Sequence, residues 1–405
     1  MAKKSASSKS KNSTSKTTNK LIKQGKKMAK KNPKAFLIIV LIIVLVIVLP
    51  VVGLFIYSRI NPDFKLPFFN HEHEHSYSQK SYAPGEVADI DINFLELGNK
   101  YTGDSTFIKA GDTDILIDAG SRAGSAATIS SFVDQYCKDG KLEYVIATHA
   151  HQDHIAGFVG TNAAPGILKK YKIGTLIDFA LTNATSSVYT NYASLRDEQV
   201  SNGNIEHHYT AADCVAQKNG AKKTYDLAPG ITMEVLDQKY YHETGDDEND
   251  YSVCTLFSQG NNHYLFTGDL EKKGEASLVE LNNLPQVELF KGGHHGSYTA
   301  NTDTLLNVIK PKTVCICCCA GSTEYTTNPD NTFPAQAAIN RLGKWTDKIY
   351  VTTVDSDDEK GYKSMNGNIK FHCDCGLEYV ITGSNNSTIL KETDWFKHNR
   401  TWPTN

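Results

Sequence analysis

Three regimes of hydrophobic patterning divide this chain of 405 residues. The first 34 residues have no apolar period; they are rich in Lys, Ser, Thr and Asn, with twelve lysines and no acidic residue. Such a segment buries too little to offset its chain entropy, and 1–34 therefore reads as a basic, disordered tail. Residues 35–57 are the reverse, an uncharged apolar run from Ala35 to Tyr57. At about 1.5 Å per residue it reaches roughly 34 Å, enough for a hydrocarbon core of about 30 Å. It predicts one transmembrane helix, bent at Pro50 and Gly53, with Tyr57 and Arg59 at its outer end. Its length and the lack of a small-x-small cleavage site favour an uncleaved anchor over a signal peptide. Residues 58–87, rich in Pro, Ser, Tyr and His, read as a linker. The His71-Glu-His73-Glu-His75 alternation within it fits a solvated stretch better than a loose metal site.

From residue 88 the pattern becomes that of a folded domain. Short β-branched and aromatic runs, punctuated by Gly, Asn and Asp, predict strands at Ile90–Leu97, Ser105–Ala110, Ile115–Ile117 and Val145–Ala147. The same signal recurs at Thr232–Leu236, Val253–Ser258, Tyr264–Thr267 and Val287–Lys291. Helical spacing of Ile129, Phe132, Val133 and Tyr136 predicts a helix over Ala126–Cys137, with others at Lys273–Leu281 and Asp303–Val308. The two halves repeat one layering, so a single α/β domain is expected over 88–385, followed by a C-terminal tail over 386–405.

Charge adds a direction. Lysines flanking an apolar span stay cytoplasmic, which places everything after about residue 58 outside the cell. The expected location is the cell membrane, and the membrane is the one partner that the sequence itself names. The net charge of −3 conceals an asymmetry: 13 of the 42 basic residues lie at or before Arg59, leaving 29 against 45 acidic ones, a net of about −16. That balance opposes tight binding of a polyanion unless basic residues gather locally, for which Lys169, Lys170, Lys172, Lys272, Lys273 and Lys291 are candidates.

The chemistry concentrates where the strand Val145–Ala147 ends and His149-Ala-His151-Gln-Asp153-His154 begins. Four ligand-type side chains within six positions of a rigid strand exit suit zinc, manganese or iron, with His149 and His151 directed to one ion and Asp153 and His154 to another. The arrangement resembles the second motif of the metallo-β-lactamase superfamily, whose fold is an αββα four-layer sandwich with its metal site at one edge. Asp114-Ile-Leu-Ile-Asp118-Ala-Gly120 resembles the first motif, in which the aspartate orients the histidine loop. Tyr264-Leu-Phe-Thr-Gly268-Asp269 resembles the fourth, whose aspartate bridges two ions. Leu289-Phe-Lys-Gly-Gly-His294-His295-Gly296-Ser297 supplies the last histidine.

The Gly-His-His-Gly-Ser sequence and Asn249-Asp-Tyr-Ser252 look like the C-terminal hydrolase domain of the DNA-uptake protein ComEC and its relatives, a likeness running from about Ile90 to Gly383. It implies two divalent ions, zinc or manganese, held by His149, His151, Asp153, His154, Asp269 and His294 or His295. Catalytic roles fall to Asp153, His294 and His295: one of the two histidines ligates and the other donates to the leaving group, with His294 favoured as the ligand because it leaves the strand first. Ser297 and the amides of Gly292, Gly293 and Gly296 are candidates for an oxyanion or phosphate pocket. No third-motif histidine is evident, and His207, His208, His242 and His263 read as structural. The first ion is then left to His149, His151, Asp269 and water, which disfavours a β-lactamase. The implied activity is phosphodiester hydrolysis, most plausibly a nuclease acting on extracellular DNA. The alternatives are an esterase for small phosphodiesters, such as phosphorylcholine on a wall polymer, and a non-catalytic surface binding protein. The nine cysteines admit three readings for Cys315-Ile-Cys317-Cys318-Cys319 and Cys373-Asp-Cys375: core residues, a disulfide, or a zinc site at Cys317, Cys319, Cys373 and Cys375.

Overall fold

The structure, a computed structural model, describes residues 87–404. The basic tail, the apolar span and nearly all of the linker lie outside the described residues. Among those described, no helix is long and apolar enough to cross a membrane.

Two eight-stranded sheets carry the domain. The first contains β1 (Ile90–Phe94), β2 (Thr106–Ala110), β3 (Thr113–Ile117), β4 (Lys141–Ile146), β5 (Lys172–Asp178), β6 (Ile205–Thr210), β15 (Ile369–Cys373) and β16 (Tyr379–Gly383), in the order β16-β15-β1-β2-β3-β4-β5-β6. The second contains β7 (Thr224–Ala228), β8 (Ile231–Val235), β9 (Thr255–Gln259), β10 (Asn262–Phe266), β11 (Leu289–Lys291), β12 (Val314–Ala320), β13 (Ile349–Asp355) and β14 (Tyr362–Ser364), in the order β14-β13-β12-β11-β10-β9-β8-β7. In each sheet one run of four strands is parallel, β3 to β6 in the first and β10 to β13 in the second. The helices are α1 (Ser125–Val133), α2 (Gln152–Val159), α3 (Ile167–Lys170), α4 (Ser187–Ser201), α5 (Ala211–Ala216), α6 (Lys272–Leu281), α7 (Asp303–Ile309), α8 (Gln336–Leu342) and α9 (Asp394–Asn399).

Alternation along the strands explains the layers. On the second sheet Phe257, Tyr264, Leu289, Cys315 and Cys317 enter the core shared with Ile92 and Phe371 of the first sheet. Their neighbours Leu256, Leu265, Phe290, Ile316 and Cys318 point the other way and pack with Leu278 of α6, Leu305 of α7 and Ile339 of α8. A strand buried on both faces loses the polar alternation of a surface strand, which is why β12 reads as a continuous apolar run. The result is helices, sheet, sheet, helices. The expected strands and helices recur with ends shifted by a few residues. The stretch set apart as a C-terminal tail carries α9 and buries Leu390 and Phe396 in the second core. All nine cysteines are free thiols: eight are buried and Cys375 is half-buried. Neither a disulfide nor a zinc cluster joins Cys317, Cys319, Cys373 and Cys375 among the described residues.

Candidate metal centre

Parallel strands of an open α/β sheet present their carboxyl ends on one edge, and loops leaving that edge collect ligands. Asp118 follows β3, the histidine loop follows β4, Asp269 follows β10, and His294-His295 follows β11. The histidine loop runs straight into α2, with His151 as its N-cap. Gly120 lets this helix approach: a Cβ there would sit 1.5 Å from the Asp153 carbonyl oxygen.

Asp118 holds the loop from behind. Its Oδ1 accepts from the Thr148 amide at 2.8 Å, and its Oδ2 from Thr148 Oγ1 and His154 Nδ1, both at 2.8 Å. With Nδ1 engaged, His154 presents Nε2, 3.1 Å from Asp269 Oδ2 and 3.3 Å from His295 Nε2. His295 is turned the same way: its Nδ1 donates to the Cys317 carbonyl at 2.9 Å, and its Nε2 lies 3.1 Å from Asp269 Oδ2 and 3.3 Å from Asp153 Oδ2. His149 and His151 form the adjoining half, with Nε2 and Nδ1 3.0 Å apart. The His149 ring lies 4.1 Å from that of His154. Ser252 joins the halves, its Oγ meeting His149 Nδ1 at 3.4 Å and the Asp269 amide at 3.0 Å.

The two adjacent histidines differ, in the order opposite to that favoured from chain position. His295 is wholly buried among carboxylates, whereas the His294 side chain is 18% exposed. His294 Nε2 lies 3.8 Å from Asp269 Oδ2, and its Nδ1 faces Glu271 at 3.4 Å and Thr299 Oγ1 at 3.2 Å. Both residues are left-handed, with φ of 47° and 53°. Consecutive residues on a helical turn splay by about 100°, so one ring turns inward and the other toward the rim. Asn301 fixes this turn by accepting from the Gly293 amide at 2.8 Å and donating to the Gly293 carbonyl at 2.9 Å. Buried Glu275 holds the Asn301 amide at 2.6 Å. The Gly292 amide is likewise committed to the Cys315 carbonyl, so neither it nor that of Gly293 is free to line an oxyanion pocket.

One participant escaped the sequence reading, and a second lies deeper than that reading placed it. Asp104 is buried, forms an ion pair with Lys291, and lies 3.2 Å from His295 Nδ1 and 3.8 Å from His154 Nδ1. Asp104, His154, Asp269 and His295 offer ligand atoms within 4.8 Å of one another. Because Asp104 meets the Nδ1 edges, on the side away from the converging Nε2 atoms, it is better suited to orienting the imidazoles than to ligation. Lys291 is inside the centre, 3.8 Å from Asp269 Oδ1, not on its flank. Lys272 lies at the rim, its amide bonded to the Thr299 carbonyl. Lys172 starts β5, opposite Lys141 at the start of parallel β4, and with Lys169 and Lys170 it occupies the edge of the sheet away from the ligands. His208, His242 and His263 bond Asp178, Asp237 and Ser258, outside the cluster.

The electrostatics fit a cation. Burial alone would lower the pKa of His154 and of His295; the carboxylates outweigh it, Asp269 and Asp118 for the first and Asp269 and Asp104 for the second, and hold both well above the usual histidine range. Burial would raise Asp269, but His154 and His295 hold its carboxyl well below the usual range. Burial, reinforced by the neighbouring rings of His154 and His151, lowers His149 and keeps it neutral, as a ligand must be. Asp269 Oδ1 is buried without a hydrogen-bond partner. A field that retains protons on two imidazoles, an orphaned carboxylate oxygen and Nε2 atoms aimed at one point together suit divalent ions on His149, His151, Asp153, His154, Asp269 and His295.

Residues 98–164, which carry Asp118 and the histidine loop of this centre, match the model of the metallo-β-lactamase superfamily. The chain is also similar to two larger bacterial proteins. It is 26% identical to Recombination protein 2 of Haemophilus influenzae over 265 residues, 65% of this chain and 28% of that protein. It is 25% identical to ComE operon protein 3 of Bacillus subtilis over 182 residues, 44% of this chain and 20% of that protein. The chain thus matches less than a third of the length of either relative. Among solved structures, the metallo-β-lactamase fold protein YhfI from Bacillus subtilis is similar at 10% identity and a TM-score of 0.38, covering 70% of this chain and 100% of YhfI.

Proposed function

We propose that the protein is a membrane-anchored, extracellular phosphodiesterase of the ComEC-like type, most simply a nuclease acting on DNA. The observation that carries the reading is the convergence of His154 Nε2 and His295 Nε2 on Asp269 Oδ2, each at 3.1 Å, with His149 tied to the Asp269 amide through Ser252 Oγ. Divalent ions bound there would supply a water of lowered pKa and positive charge facing the phosphoryl oxygens. The chain's own residues hold this chemistry in place. Asp118 and Asp104 fix which imidazole nitrogens face inward, Ser252 aligns His149 with Asp269, and His294, at the rim beside Glu271, is placed to give a proton to the leaving oxygen. The name of one relative, Recombination protein 2, favours a nucleic-acid substrate. The lysine tail and the uncharged span of 35–57 support the anchor and the external location.

The test is a hydrolysis panel on the purified full-length protein with manganese and zinc compared. It covers single- and double-stranded DNA, a bis-aryl phosphodiester, aryl phosphorylcholine and a cephalosporin. Cleavage of the DNA and of the simple diester, with the cephalosporin spared, is the expected result. No hydrolysis with either metal would leave a binding protein. The net charge of about −16 after Arg59, and the distance of Lys169, Lys170 and Lys172 from the centre, favour a second reading as an esterase of small phosphodiesters. In that case aryl phosphorylcholine is cleaved and DNA is spared. Topology has its own check: protease added to intact cells should remove the domain and leave a small anchored fragment.

A further inference from the structure

The carboxyl end of β12 also opens on the metal-centre edge, and what leaves it is a long loop over 321–333. Its neck is closed by the Gly321 amide donating to the Phe333 carbonyl at 2.9 Å. Its foot is tied down by Arg400, which donates to the Thr332 carbonyl at 2.8 Å. The span reaches back to the first sheet at two neighbouring points. Glu324 forms an ion pair with Arg122 and accepts from the Thr102 amide at 3.0 Å. The Tyr325 hydroxyl donates to Asp153 Oδ2 at 2.7 Å. Phe333 completes the strap, its ring 5.6 Å from those of both Tyr325 and His295 and 5.7 Å from that of His294.

The direction of approach distinguishes Tyr325 from the other partners of the centre. Asp118, Thr148 and Ser252 are buried and hold the histidines from behind. Tyr325 is 53% exposed and reaches Asp153 from the solvent side, the side from which a substrate must come. The Asp153 oxygen that it touches is the same one that faces His295 Nε2 at 3.3 Å. Its ring is exposed while its hydroxyl rests on buried Asp153, so that Tyr325 stands between solvent and the ligand cluster.

We propose that Tyr325 is a substrate-contacting residue whose hydroxyl leaves the Asp153 carboxylate and donates its one hydrogen bond to a phosphoryl oxygen of the bound diester, and that the Glu324–Arg122 pair holds the strap so that it can. The assignment rests on the phosphodiesterase reading for its substrate class, while its test does not depend on turnover. The hydroxyl transfers no proton: water adds to phosphorus through its oxygen and gives up a proton to solvent, the ester P–O bond breaks with its electron pair on the leaving oxygen, and that oxygen takes a proton from His294.

The experiment compares the metal-loaded full-length protein with Tyr325→Phe and Glu324→Gln, using inorganic phosphate as the probe in calorimetry alongside metal content and steady-state kinetics on a bis-aryl phosphodiester. A hydrogen bond to a charged acceptor is worth about 1.5–3 kcal/mol, so Tyr325→Phe should weaken phosphate binding roughly 10- to 100-fold. Metal content should be unchanged, because the ring and its packing on Phe333 remain. Glu324→Gln should give a smaller loss of the same kind, about 2- to 5-fold. Loss of metal in step with phosphate affinity in Tyr325→Phe would overturn the proposal, since the hydroxyl would then be acting only through Asp153. Unchanged phosphate affinity would overturn it too, as would a metal-loaded wild type that binds no phosphate. If the wild type binds phosphate through Tyr325 but cleaves no diester, the phosphodiesterase reading fails and the anion contact stands.

Discussion

Two loops supply most of the imidazoles of the centre, and they are built in contrasting ways. The loop from β4 uses ordinary backbone: His151 is extended and residue 152 begins a regular helix. The loop from β11 uses two successive left-handed residues, a conformation that costs roughly 1–2 kcal/mol each for residues with a Cβ. The first is specified locally, by a strand and a helix that its own sequence favours, with Asp118 adding orientation. The second is imposed from a distance, by Asn301 and Glu275. A site can therefore combine a part that folds by itself with a part that must be held. The held part decides which of two neighbouring histidines turns inward.

The largest effect expected is from the residue that both loops share. Asp269→Ala should empty both halves and abolish turnover, whereas His149→Ala should chiefly weaken its own half. Elemental analysis of the two purified variants checks this, and full metal content in Asp269→Ala would refute the sharing.

The next test divides the second loop within itself. His295→Ala should lose metal together with activity. His294→Ala should keep its metal while turnover falls by roughly 10²–10⁴-fold. That deficit should shrink on a nitrophenyl ester, whose leaving group needs little protonation. Equal metal loss in both variants would leave both histidines as ligands.

The support of the second loop can also be removed without touching an imidazole. Asn301→Ala deletes both side-chain bonds to Gly293, and metal affinity should fall about 10- to 100-fold, the usual cost of losing an outer support. Competition with a chelating dye would measure it. An affinity matching wild type would mean that the left-handed turn stands unaided.

The smallest effect lies outside both loops and serves as a control for stability alone. The hydrogen bond to Asp91 at 2.6 Å raises the pKa of His372 on β15. Burial would raise Asp91, but the hydrogen bond from His372 and the Lys370 ammonium hold its carboxyl below the usual range. A raised histidine stabilises below its unfolded pKa of about 6.5, and loses that contribution as pH rises through the folded value. A lowered carboxyl stabilises above its unfolded pKa of about 3.9, and loses that contribution as pH falls. The pair therefore contributes between about pH 4 and somewhat above 6.5. His372→Gln should lower Tm slightly at pH 5.5, a loss of less than about 1 kcal/mol because the His372 side chain is 40% exposed although Asp91 is buried, and should leave Tm unchanged at pH 8.5. A loss equal at both values would assign the effect to packing.

The contrast between the loops also explains what was legible in the sequence. His149, His151, Asp153, His154, Asp118 and Asp269 each stand at the end of an apolar strand, so local pattern and ligand chemistry point to the same place. The handedness at His294 and His295 depends on Asn301 and on Glu275 in α6, and nothing within the motif reports it; chain order alone favoured His294, whereas the structure turns His295 inward. Asp104 sits in a Gly-Asp-Ser turn like any other, and its role arises only when Lys291 and His295 fold against it. Helix α4 was missed because only Tyr192, Leu195 and Gln199 of its fifteen residues are buried, too sparse a stripe to register as a period. Tyr325 and Arg122 carried no signal at all, since long-range contacts made by loops have no period to read.

Asp269 has a consequence for how the chain holds together. His154 and His295 stand 141 residues apart, on segments that leave different sheets, yet meet across this one carboxylate. Ions held here would clip the amino-terminal half of the domain to the carboxyl-terminal half, closing a long loop much as a covalent cross-link does, and such clips gain most where the loop is long. Neither half carries the full ligand set. Assembly of the centre therefore reports that both sheets have formed and met, and stripping the ions should loosen the seam between them before it loosens either sheet.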